Sequence, residues 1–151
     1  MNKKQKGFSL IELLIVVAII LIIAAIAIPN LIRSKIAANQ ASAVASLRTL
    51  NTSAVLFNTN YGLYPTGLSS LATNGAASST AADMIDNVLS TGIKSGYSFS
   101  WSGGTNGTYS IFASPVTLNS TGTVYYYTNQ TLVIRSNPAG AATSGSLAIG
   151  N

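Results

Sequence analysis

Between Phe8 and Ile28 the chain runs through 21 residues that carry a single charge, Glu12. As a helix rising 1.5 Å per residue this segment spans about 31 Å, close to the hydrocarbon thickness of a bilayer. It is apolar all round, and its larger side chains each gain up to about 1.5–3 kcal/mol on leaving water. One small domain cannot cover such a helix. Two environments can: lipid, or a bundle of identical helices. Lys3, Lys4 and Lys6 precede the segment and no basic residue lies inside it, so the positive-inside rule predicts a cytoplasmic N-terminus.

The helical pattern continues past Pro29. From Leu31 to Phe57 the apolar residues Ile36, Ala37, Ala41, Val44, Leu47, Leu50, Ala54 and Phe57 recur at three- and four-residue spacing, which sets them on one face. Arg33, Lys35, Asn39, Gln40, Ser42, Ser46, Arg48 and Asn51 are assigned to the opposite face. The expectation is one helix from about Phe8 to Asn58, kinked or loosened at Pro29, whose second half needs a partner surface. Tyr61-Gly62-Leu63-Tyr64-Pro65 ends it. Thr66 to Ala82 reads as a loop with a helical turn near Leu68 to Leu71, and Asp83 to Leu89 as a second short helix. Strands are expected at Tyr97–Trp101, Tyr109–Ala113, Val124–Thr128 and Leu132–Arg135, with a turn over Ser102–Gly107. The small, polar tail from Asn137 is expected to be loosely held. The fold class is α+β: a long N-terminal helix packed on an antiparallel sheet of about four strands.

Only 7% of the 151 residues are charged, against roughly 25% in an average domain. Eight Lys/Arg face three Asp/Glu, and there is neither His nor Cys. Those absences remove Ser-His-Asp and Cys-His triads, Cys/His zinc sites, thiol redox chemistry and disulfides. The sequence offers no catalytic set, no metal site and no cofactor motif, so an enzyme is not expected. Asp83 and Asp86 stand three apart and read as a solvated helix end rather than a cation site or acid/base pair. Arg33, Lys35 and Arg48 read as solvated or subunit-bridging charges, since no aromatic residues interleave them as in a nucleic-acid groove. Tyr125, Tyr126 and Tyr127, with Tyr97, Phe99, Trp101 and Tyr109, read as cross-strand packing.

The segment Lys6-Gly7-Phe8-Ser9-Leu10-Ile11-Glu12-Leu13-Leu14-Ile15-Val16-Val17-Ala18-Ile19-Ile20 resembles the class III signal sequence of type IV pilins and pseudopilins, and the resemblance runs on through Pro29. It implies the pilin fold and a structural role without enzymatic activity. It also implies a leader, residues 1–7, that prepilin peptidase removes between Gly7 and Phe8, with N-methylation of Phe8. Residues 8–29 would form the transmembrane and filament-core half of the helix, and residues 30–151 the extracytoplasmic globular domain. Glu12 and Phe8 are implicated in filament assembly, with Pro29 at a helix kink. The implied life cycle begins with a single pass in the inner membrane, next to an assembly platform. It ends among identical subunits of a helical filament, an extracellular pilus or a periplasmic pseudopilus.

Physical chemistry supports this reading of Glu12. A carboxylate in an apolar membrane segment costs roughly 2.5–3.5 kcal/mol on insertion scales and calls for a partner. Cleavage after Gly7 creates an α-amino group on Phe8, which can neutralise the Glu12 of a neighbouring subunit. Three plainer readings compete: a secretory signal cut after Ala25-Ile26-Ala27, a simple anchor, and a Glu12 that snorkels to the interface. The helix exit from Phe57 to Leu68, with its Tyr-Pro-Thr, is similar to that of the major pseudopilin of type II secretion. That family's acidic calcium loop is not carried over, because no acid follows Asp86. A pilus subunit is the favoured reading, a major pseudopilin the alternative. A nucleic-acid partner enters only through DNA uptake. The leader also holds three of the eight basic residues, so the processed chain would keep five against three acids.

Overall fold

A computed structural model describes residues 7–73, 77–104 and 107–150. The leader lysines and the centre of the expected turn over Ser102–Gly107 lie outside the described residues. In chain order the elements are helix α1 (Leu10–Tyr61), a 3-10 turn (Leu68–Leu71), helix α2 (Asn87–Ser90), and strands β1 (Ile93–Lys94), β2 (Tyr97–Gly103), β3 (Tyr109–Pro115), β4 (Tyr125–Asn129), β5 (Arg135–Asn137) and β6 (Leu147–Ala148). The chain divides into two compact units, one ending at Ser34 and one beginning at Lys35.

Among the described residues the first unit is the start of α1 preceded by the non-helical Gly7–Ser9. The helical assignment passes through Pro29 without interruption, although proline has no N–H to give to the carbonyl four residues back. One turn later Ser34 donates its hydroxyl to the Asn30 carbonyl at 2.9 Å.

The second unit carries the core. The six strands form one sheet in sequential order, every neighbouring pair antiparallel. Alternation sends Tyr97, Phe99, Ile111, Ala113 and Tyr126 to the inner face. There they bury Ala43, Leu47, Leu50, Ala54 and Phe57 of α1. Leu71, Ile85 and Leu89 of the connecting segment extend the same core. Trp101 stacks on Tyr109 with ring centres 4.9 Å apart and donates its indole N–H to the Pro65 carbonyl at 2.8 Å. α1 ends at Gly62, whose φ of +74° and N–H bond to Asn58 O at 2.8 Å make a left-handed cap.

Several expectations are corrected. The sheet has six strands because two-residue strands flank the four expected ones. The fourth strand starts at Arg135 rather than Leu132, since Leu132 sits at φ +64° in the preceding turn. The tail is not loose: β6 pairs with β5, Arg135 Nη1 donates to Ser146 O at 2.8 Å, and Ala142 is buried. The second helix is confined to Asn87–Ser90, with Asp86 accepting from Leu89 N–H at 2.7 Å as its N-cap. The polar face of α1 is narrower than expected, for Ser46 and Asn51 are buried. Conversely, Ala37 and Ala41 are exposed.

Candidate functional site

The start of α1 gathers the residues that the sequence singles out. Ser9 immediately precedes the first helical residue, and its backbone N–H donates to Glu12 Oε2 at 3.0 Å. The Leu13 N–H closes the first turn on Ser9 O at 3.3 Å. Glu12 thus occupies the third helical position and reaches back to the N-cap amide, one arm of a capping box. This is the partner that sequence reasoning missed. The Ser-x-x-Glu string was the signal for it, and carboxylates near a helix start also suit the positive end of the helix dipole.

Phe8 is 79% exposed. A Cβ added at Gly7 would meet no atom within 4 Å, and the backbone there is not in the left-handed region. Among the described residues, nothing therefore requires glycine at this position. The apolar surface that follows is continuous: every residue from Gly7 to Ile22 is exposed, as are Ile26, Ile28, Leu31 and Ile32. α1 is long and apolar enough to cross a membrane, and its most apolar window has no buried residue.

The other candidates separate into structural roles. Asp83 and Asp86 do not form a pair: Asp83 accepts from the Thr73 hydroxyl, while Asp86 caps α2 and holds Lys94 at 2.8 Å. The bond to Lys94, then that to Leu89 N–H, holds the Asp86 carboxyl below its ordinary pKa. No cluster of three potential metal ligands occurs among the described residues. The tyrosines are packing groups. Tyr97 donates to Val124 O at 2.8 Å and Tyr109 to Asn51 Oδ1 at 3.1 Å. Burial raises the pKa of both hydroxyls, and pushes Tyr126 up to about 12.

Comparison with known proteins points to the same end of the chain. Residues 2–28 match the prokaryotic N-terminal methylation motif. The type IV major pilin protein PilA of Myxococcus xanthus is 53% identical over 51 residues, covering 34% of this chain and 23% of that protein. The type II secretion system core protein G of Vibrio cholerae is 36% identical over 74 residues, 47% of this chain and 51% of that one. The type IV wide pilus major component PilA4 of Thermus thermophilus is 53% identical over 45 residues, covering 30% and 34%. This chain therefore matches about half or less of each relative's length. Over that part it is a homologue of type IV pilins and of type II secretion protein G.

Proposed function

We propose that this chain is a structural subunit of a bacterial type IV pilus, made as a precursor and polymerised through its N-terminal helix. In this reading prepilin peptidase removes residues 1–7 after Gly7, and Phe8 becomes the methylated N-terminus. Residues 8–29 hold the subunit in the inner membrane until an assembly platform extracts it, and residues 30–151 form the extracytoplasmic domain. Pro29 is where the helix loosens during packing. The role is structural, not enzymatic.

One observation carries the proposal most: an uninterrupted apolar helix surface, none of it covered by the chain itself, preceded by Gly7-Phe8 and entered by Glu12. Lipid covers it before assembly and neighbouring copies afterwards. Contacts between different patches of identical subunits do not close and so extend into a filament. Cleavage gives Phe8 an α-amino group that can offset the Glu12 carboxylate of a neighbour, in exchange for the Ser9 amide that holds it in the separate subunit.

A major pseudopilin of type II secretion is the second reading. It is favoured by the 74-residue match to protein G, which is longer than the 52-residue helix and so cannot rest on the helix alone. DNA uptake would be a further property of a pilus, and Arg33, Lys35 and Arg48 are its only cationic side chains on α1.

Mass spectrometry of the mature chain is the test. An N-terminus at Phe8, methylated or not, is expected. An N-terminus at Ile28 would assign a secretory signal, and an intact Met1 a simple anchor.

A further inference from the structure

An apolar groove of about 460 Å³ lies along one flank of α1 in the second unit, lined by Arg48, Asn51, Thr52, Val55, Leu56 and Leu132. Its walls stay in water although they are greasy: Leu56 is 51% and Leu132 46% exposed. Leu132 sits in a left-handed turn at φ +64° and lines the groove while staying exposed. Arg48 supplies the only charge in it.

The opposite flank is defined by hydrogen bonds. Asn51 Nδ2 donates to Leu132 O at 3.3 Å, and Ser53 Oγ donates to Met84 O at 3.0 Å. Residues two apart on a helix point about 200° apart around its axis. The Leu132 turn and the Met84 segment therefore lie on opposite sides of α1. Next to Met84 stands Asp83, exposed at φ +52°. The chain has three acids. Glu12 belongs to the apolar start of α1 and Asp86 is tied to Lys94, in the one salt bridge among the described residues. Asp83 accepts from the Thr73 hydroxyl but is exposed and faces no cation among the described residues, which leaves it as the acid available to a neighbour's cation.

We infer that the groove at Arg48 and Leu132 receives the Asp83 flank of a second copy of this chain, with an Arg48–Asp83 ion pair across the contact. The opposite placement of the two patches makes the contact heterologous, so every subunit both gives and receives it. This deepens the filament reading and rests on it, naming the side-to-side contact between globular units.

Charge exchange tests it in the full-length chain expressed in cells. Arg48→Asp and Asp83→Lys should each lower assembled filament about tenfold, because like charges then face each other. The double exchange should restore it. Asp83→Asn, which tolerates the left-handed backbone, should lower assembly as well. Equal amounts of processed chain in the membrane exclude misfolding as the cause. Normal filaments from the single variants, or no rescue by the double, overturn the contact.

A second readout is independent of filament yield. The chain has no cysteine, so Leu56→Cys in the groove with Val88→Cys, exposed on α2 five residues after Asp83, gives clean intermolecular crosslinks, and a dimer ladder is expected. Filaments without the ladder overturn this contact and leave the filament reading standing. A ladder without filaments does the reverse, and the lack of both removes both.

Discussion

Tyr109 on β3 donates its hydroxyl to Asn51 Oδ1 of α1 at 3.1 Å, inside the core and 58 positions away in sequence. The same amide gives its N–H to Thr128 Oγ1 of β4 at 2.9 Å and to Leu132 O. One side chain thereby sets the axial position of the helix against two central strands. The network is complete, with no buried side-chain polar atom left unpaired among the described residues. Asn51→Ala should destabilise the folded chain by about 2–3 kcal/mol, since Tyr109 and Thr128 would be stranded away from water. Chemical denaturation in detergent measures this, and a cost near zero would show that water replaces the amide.

Alkaline pH should loosen the same core. Burial keeps the Tyr97, Tyr109 and Tyr126 hydroxyls protonated above the ordinary value of 10.0, Tyr126 up to about 12. Their raised folded pKa values contribute stability that is fully present below pH 10. Above it the unfolded chain releases protons that the folded chain retains, so stability falls from pH 10 towards 12. Melting temperature against pH should be flat to about 10 and then decline, and Tyr126→Phe should make the decline shallower.

Gly122 is held by a close approach. A Cβ there would fall inside the buried Tyr97 hydroxyl, which is bonded to Val124 O. Gly122→Ala should cost about 1–3 kcal/mol through overpacking. Gly122→Ala combined with Tyr97→Phe should recover part of it, as seen by denaturation.

Glu12 can be divided into its two roles. Glu12→Ala should still be cleaved but should not assemble. Glu12→Gln keeps an acceptor for the Ser9 N–H and loses only the charge. If Glu12→Gln assembles normally, as judged from sheared filaments, the pairing with a neighbour's Phe8 amine is wrong.

At Gly7 the described residues set no steric limit. A bulky Gly7→Leu should therefore leave folding intact while unprocessed precursor accumulates in the membrane, read as a slower band on immunoblots. Complete processing of that variant would show that cleavage after residue 7 needs no small residue there.

Much of the fold could be read from the chain because its signals are local. The apolar run, the helix stop at Tyr61-Gly62 and the aromatic alternation of Tyr97–Trp101 each depend on neighbours within a few residues. The start of α1 is legible for the same reason, and its Ser9–Glu12 bond is carried by the Ser-x-x-Glu string, in which a backbone amide rather than a basic side chain meets the carboxylate.

What the sequence by itself determined is the long helix, its uncovered apolar half, and the Gly7-Phe8…Glu12 string at its start. Periodicity marks apolar residues, and those features are apolar or contiguous. Only the tertiary structure decided that Asn51 and Ser53 face inward, because each is buried where a partner distant in sequence, Thr128 or the Met84 carbonyl, meets its side chain. Asn51 finds that partner 77 positions away in Thr128. The two-residue edge strands are likewise too short to carry a pattern and exist only because β2 and β5 offer them a ladder. The opposite placement of Arg48 and Asp83 depends on which side of α1 each connecting segment returns to. No spacing along the chain encodes that.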